Sequence, residues 1–287
     1  MAEVATSGTS SATSDQLLVV IDPVARRADG ESVRIARDVL RAGAAGAKVC
    51  LPDGPEEFAR ALARRGSRRP VVVGDDRALV RAVELLHRHR ELAGCALSLV
   101  PVGGSVSLAR ALGVPSGAVA AARAVLDGAE RRMDLLVDDS DGVVLGALRI
   151  PPLGSTSPER DSADGVPRPW LRTCRSLVRT LAPARPPAAP GSGPTRLRVE
   201  VDGETLVDLH QSVEAVSVVP GASGTARVEV RPASVGAEAS VLSAEGRTIT
   251  VSGAHFRYRA DATVSGPVRT RTWEVREAAW GLTVPAR

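Results

Sequence analysis

From residue 17 to about residue 126, short apolar runs alternate with amphipathic stretches. Leu17-Leu18-Val19-Val20-Ile21 reads as a buried strand ended by Asp22-Pro23. Residues 32–40 place apolar side chains at 33, 35, 36, 39 and 40, a helical spacing that Gly43 and Gly46 close. The same pattern predicts a strand at 48–51, a helix from Pro55, a favoured first-turn residue, to Arg65 with Gly66 as its stop, and a strand at 71–73. A helix from 79 to about 92, a strand at 97–100 and helices near 107–112 and 118–126 follow. Strands separated by helices of this length imply a parallel sheet covered on both faces. Such sheets bind ligands at the carboxyl ends of their strands, so candidate chemistry belongs at the turns after Ile21, Val73 and Val100.

The pattern changes at Met133. Residues 134–150 read as strands around the turn Asp138-Asp139-Ser140-Asp141-Gly142. A Pro/Gly/Ser-rich loop spans 151–194, interrupted by a helix-like segment near 170–181, and its end at 182–194 carries five prolines. Short alternating runs at 196–201, 215–219, 226–230, 248–251, 255–258 and 271–275 are bounded by Gly, Pro and Ser and predict antiparallel strands. The expected organisation is a disordered tail at 1–14, an α/β domain with a parallel sheet at 15–134, and an antiparallel β-sandwich or barrel-like domain at 135–287. The last strand is open to returning to the first domain.

Composition narrows the chemistry. The chain has 287 residues, enough for one large or two ordinary domains. Aromatic residues are 2%, so stacked aromatic platforms for single-stranded nucleic acid have almost no material, and no nucleic-acid partner is expected. Lys48 is the only lysine, and Val49 follows it rather than Ser or Thr, which excludes a P-loop. Net charge is +4. The densest basic cluster, Arg60, Arg64, Arg65, Arg68 and Arg69, is either a solvated helix end or a contact for an anionic lipid surface or phosphate. Cys50, Cys95 and Cys174 are far apart and fit buried thiols in a reducing compartment. The first fourteen residues lack the basic start and apolar run of a signal peptide, and no window approaches twenty apolar residues, so the expected address is the cytoplasm.

Several superficial motifs dissolve on inspection. Gly43-Ala44-Ala45-Gly46 follows a helix and precedes a strand, the reverse of a phosphate cradle at a helix N-terminus. Gly103-Gly104-Ser105-Val106-Ser107 lacks the final Gly of a nucleophile elbow. His87 and His89 are two apart and point to different faces of a helix. Asp138, Asp139 and Asp141 lack a complete EF-hand pattern and read as a solvated turn. Asp202-Gly203-Glu204 reads as a hairpin turn.

At the three crevice turns the sequence resembles the diacylglycerol kinase and related lipid kinase family, whose nucleotide-binding half shares its fold with NAD kinases and 6-phosphofructokinases. The family's Asn-Pro-x-Ser/Ala-Gly element appears as Asp22-Pro23-Val24-Ala25-Arg26. Its Gly-Gly-Asp-Gly-Thr-Leu-x-Glu-Val loop aligns with Gly74-Asp75-Asp76-Arg77-Ala78-Leu79-Val80-Arg81-Ala82. Its Pro-x-Gly-Thr-x-Asn-Asp-x-Ala-Arg element aligns with residues Pro101 to Arg110, and Ala279-Trp280-Gly281-Leu282-Thr283-Val284-Pro285 is similar to its closing strand.

The resemblance implies ATP and Mg²⁺ as cofactors and phosphorylation of a lipid or lipid-like hydroxyl. It places Gly74, Asp76, Arg77, Gly103, Gly104 and Ser105 at the nucleotide, and Asp76 and Asp261 at the metal. Its partners would be a nucleotide, a lipid or lipid-like alcohol, the inner membrane surface as a peripheral contact, and a second copy of the chain in a homodimer. Departures fall on the motifs themselves. Asp75 and Arg77 replace glycines where phosphates need room, and Arg77 is either a phosphate ligand or an occluding or exposed side chain. Ala78 and Gly104 stand where threonines would be, Val106 and Ser107 where Asn-Asp would be, and Arg81 where a carboxylate would be. The family's Asp-Gly-Glu triplet, which carries the general base, lands on Asp261-Ala262-Thr263, leaving Asp261 as the catalytic candidate, because the Thr263 hydroxyl is no base at neutral pH. The implied activity is therefore weak or lost, and the alternative is a catalytically dead relative that binds a nucleotide, lipid or protein.

Overall fold

The computed structural model describes residues 16–152, 195–221, 223–233 and 240–286. The expected tail at 1–14, nearly all of the loop at 151–194 with its helix-like segment, and Cys174 lie outside the described residues. The first part of the chain runs β1 (Gln16–Ile21), α1 (Pro23–Ala28), α2 (Gly30–Gly43), β2 (Gly46–Cys50), α3 (Pro55–Ala63), β3 (Arg69–Gly74), α4 (Asp76–Arg88), β4 (Ala96–Pro101), α5 (Ser107–Ala111) and α6 (Ala118–Asp127). The second runs β5 (Ala129–Asp138), β6 (Val143–Val144), β7 (Leu148–Ile150), β8 (Thr195–Val201), β9 (Glu204–Val207), β10 (Ser212–Pro220), β11 (Ala226–Pro232), β12 (Leu242–Gly246), β13 (Thr248–Ala260) and β14 (Thr263–Val284).

Strands β2, β1, β3 and β4 pair in parallel in that order, with Val19 opposite Val49 and Val71, and Val72 opposite Leu99. The inner strands β1 and β3 carry apolar runs because helices cover both faces, with Leu17 to Ile21 and Val71 to Val73 all buried, whereas the edge strand β2 has no buried residue and exposes Lys48. The helices pack through one stripe, as in α2, where Val33, Ala36 and Leu40 are the buried positions.

The antiparallel part is curved rather than a plain two-sheet stack. β10 and β13 each pair with β7 along one stretch and with β8 along another, and β11 and β12 extend the β10 edge. Its core is the alternating inward face, as in β11, whose residues alternate buried and exposed along the whole strand.

β14 joins the two parts. It pairs with β13 along its first half, with β5 along much of its length, and in parallel with β4 at Gly281 and Leu282. Its two tryptophans are both fully buried, Trp273 in the core of the antiparallel part and Trp280 in the core of the parallel part. Tyr258 meets Trp273 edge-on at 5.2 Å and 87°. One strand therefore fixes the two cores relative to each other.

The structure differs from the sequence reading at identifiable places. Asp22-Pro23 ends β1 but also starts α1, with the Asp22 carboxylate accepting from Val24 N and proline in the first turn. The runs at 248–251 and 255–258 are one strand, β13, whose alternation is broken by register shifts between Ser252 and Tyr258. β14 starts at Thr263 rather than near 271, paired with β13; its first half is largely exposed and carries no apolar alternation to read. β9 and β12 are additional strands; Asp202-Gly203 makes the two-residue turn into β9 that Val201 opposite Glu204 requires.

Candidate functional site

The three predicted turns meet at the carboxyl ends of β1, β3 and β4. Asp22 is 2% exposed, and its carboxylate pairs with the Arg81 guanidinium at 3.0 Å, which in turn lies 5.7 Å from the Phe58 ring centre. The two residues stand where the resembled motifs have Asn and Glu. A carboxylate at the end of β1 and a cation on α4 thus form one polar pair across the two elements.

The loop after β3 is built by carboxylates acting on backbone. Asp75 caps α4, accepting from Ala78 N at 3.0 Å. Its side chain therefore occupies a donor at the helix N-terminus, and a Cβ on Gly103 would lie 3.2 Å from the Asp75 Cβ. Asp75, and not Arg77, is the residue that fills space between the two loops; Arg77 is exposed.

Asp76 is 2% exposed and accepts four hydrogen bonds, from Ser105 Oγ at 3.1 Å, Ser107 Oγ at 3.3 Å, Leu108 N at 3.0 Å and Ala109 N at 3.0 Å. Val106, at the cap position of α5, has no side chain able to cap it, so Asp76 caps that helix from across the crevice. Asp76 N also donates to Ser105 O at 2.8 Å, and Val102 N to Gly74 O at 3.0 Å. The loops after β3 and β4 are laced together along their length.

Asp261 lies in the turn between β13 and β14 with a φ of 49°. Its carboxylate accepts from three successive amides, Leu145 N at 2.7 Å, Gly146 N at 2.8 Å and Ala147 N at 2.9 Å. A Cβ on Gly146 would lie 2.5 Å from Leu108 Cδ1 and 3.1 Å from Asp261 Oδ1, so a larger residue there would displace the Leu108 side chain and crowd the carboxylate. Burial pushes the Asp261 carboxyl above the usual carboxylate range; the three amides pull the other way, and the neighbouring charge of Asp76 adds to the rise.

Asp76, Arg77, Ser105 and Asp261 meet in a cleft of about 430 Å³ between the two parts of the chain. Arg149 of β7 and Arg259 of β13 also line it, and the sequence reading did not single them out. Gly74, Gly103 and Gly104 do not line this cleft: Gly74 is buried at the end of β3, and Gly103 and Gly104 lie in the loop after β4. Thr263 is exposed at the start of β14. The acidic turn disperses onto separate partners. Asp138 accepts from Ser140 N, Ser140 Oγ and Gly142 N at 2.8 Å each and from Tyr258 OH at 3.2 Å, Asp141 meets His87 at 2.9 Å, and Asp139 pairs with Arg271. Among the described residues no group of three or more His, Cys, Asp or Glu has the arrangement of a metal site, and no helix is long and apolar enough to cross a membrane.

No protein-family model matches the chain, and no curated protein matches it by sequence. Solved structures do match by shape. A "putative diacylglycerol kinase" from Bacillus anthracis str. Sterne superimposes with a TM-score of 0.68 at 12% identity, covering 94% of this chain and 96% of that one. A further structure of a diacylglycerol kinase from the same organism gives 0.65 at 13% identity, covering 94% and 97%. At such identity the agreement is one of architecture, and it spans almost the whole of both chains: this protein has the diacylglycerol kinase fold.

Proposed function

We propose that the chain is a diacylglycerol-kinase-fold protein that has lost phosphoryl transfer and uses the cleft between its two parts to bind a ligand. The observation that carries this reading is the state of the two carboxylates the resemblance assigns to the metal and to catalysis. Asp76 already receives four donors and Asp261 three. A carboxylate offers about four lone-pair directions, so little remains for Mg²⁺ or for a substrate proton. Asp75 supports the same reading, since its negative side chain sits on the α4 N-terminus where nucleotide phosphates would be drawn. The residues present therefore do not fit Mg-ATP. Phosphoryl transfer depends on positioned charge, and removing positioned groups costs orders of magnitude in rate.

A second reading, weak ATP-dependent phosphorylation of a lipid-like hydroxyl, is favoured by the convergence of Asp76, Ser105 and Asp261 in one cleft. Calorimetry with Mg-ATP, followed by a radiolabelled transfer assay on diacylglycerol and sphingoid bases, separates the two. The expected result is no labelled lipid above the protein-free control. Labelled product that scales with protein and disappears in a folded Asp261→Asn variant would overturn the proposal.

A further inference from the structure

We infer that the cleft takes the phosphate of a monoester between Arg149 and Arg259, with no metal ion. This rests on the reading of the cleft as a binding site. Arg259 of β13 stands directly opposite Arg149 of β7 in the antiparallel register. Directly opposed residues project from the same face with Cβ atoms about 4.5–5.5 Å apart, and like charges there repel. The neighbours in that row are Ser217 opposite Arg149 and Val264 opposite Arg259, so no acid flanks the pair along the sheet.

Nor does an acid reach it from elsewhere. Among the described residues neither guanidinium makes an ion pair or a side-chain hydrogen bond, and Arg259 Nε is buried without a partner. Asp76 and Asp261 share the cleft, yet their oxygens are aimed at the amides and hydroxyls that hold them. By contrast, half-buried Arg81 pairs with Asp22 and buried Arg65 with Glu91. Arg149 is exposed and Arg259 half-buried, so the two opposed guanidinium groups reach the open cleft with no carboxylate between them and can both approach an anion there.

The rest of the lining selects the anion. A guanidinium fork matches two oxygens of a phosphate, and two forks facing one another match a tetrahedral dianion better than a planar monoanionic carboxylate. Arg77 adds a third cation from the N-terminal turn of α4, whereas the Ser105 and Ser107 hydroxyl protons stay with Asp76. Leu108, Ala111 and Val219 supply an apolar wall for the organic part of the ester. The same phosphate chemistry is offered by a lipid headgroup and by the free ion, and the size of the organic part distinguishes them.

The test is calorimetry on the full chain in buffer with EDTA, titrating inorganic phosphate and, separately, dihexanoyl phosphatidic acid. Saturable metal-free binding that weakens at least tenfold in Arg259→Gln and in Arg149→Gln is expected. Tighter binding of the lipid phosphate identifies a lipid headgroup as the ligand; equal binding identifies the free ion. A thermal melt guards against misfolding: without phosphate Arg259→Gln should melt no lower than the wild-type chain, since a repulsion is removed, and phosphate should raise the melting temperature of the wild-type chain alone. Absence of saturable binding up to about 10 mM of either probe, a very weak affinity, would overturn the inference, as would variants that bind like wild type. Neither outcome touches the transfer assay above, so the two readings fail separately.

Discussion

Replacing Asp76 by Asn keeps the side chain's shape and removes its charge, which separates a structural carboxylate from a catalytic one. The best placement of the amide oxygen retains the two serines and Leu108 N on one side, and sets the NH₂ against Ala109 N, which now stands 3.0 Å away as a second donor. One charge-assisted bond is lost, about 1.5–3 kcal/mol, and its buried amide is left unpaired. Loss of the negative charge at the start of α5 adds about 0.3–1 kcal/mol. The sum is about 2–4 kcal/mol, which for a chain of this size lowers the melting temperature by roughly 4–10 °C. Asp76→Ala, which strands both amides, should cost more. The assay is urea unfolding followed by tryptophan fluorescence, since Trp273 and Trp280 report on the two cores. A carboxylate held free for a metal or nucleotide is a strained, unpaired charge in the empty protein, and its removal commonly leaves stability unchanged or raises it. Unchanged or raised stability in Asp76→Asn would refute the structural assignment.

Two further predictions follow from the same geometry. Arg81→Glu sets a second carboxylate against buried Asp22 and should cost about 2–4 kcal/mol, below the 3–5 kcal/mol of a fully buried pair because Arg81 is 33% exposed; adding Asp22→Asn should recover at least half of that by urea titration, and strict additivity would sink the idea of a direct pair. For Asp138, desolvation raises the carboxyl pKa, but the hydrogen bonds from Gly142 and Ser140 and the charge of Arg271 together hold it below its ordinary value of 3.8. Such a group stabilises the fold above its unfolded value and loses that contribution as pH falls through its folded value. Asp138→Asn should therefore flatten the fall of the urea midpoint below about pH 4; an acid limb as steep as that of the wild-type chain would count against it.

Much of the parallel part was legible in the sequence because its inner strands are buried on both faces and its helices on one stripe, so that burial writes itself into the periodicity. The second half was less legible. β13 carries register shifts that break alternation, and the exposed half of β14 has no inner face to mark it. The motif positions could be found by resemblance, but their present roles could not. Val106 looks like a lost polar contact in sequence; in the structure it explains why Asp76 must cap α5 from outside. Arg81 looks like a lost carboxylate by resemblance, and in the structure it is the partner of buried Asp22.

By itself the sequence determined the order of most strands and helices and the ends of the strands where chemistry can sit. Those are local properties, fixed by spacing and side-chain type. Only the tertiary structure decided which charges are already satisfied and which are not. Asp261 meets amides about 115 residues away, and Arg149 meets Arg259 across a strand register that no local pattern encodes. A charge is defined by its neighbours, and neighbours of that kind exist only once the chain has folded.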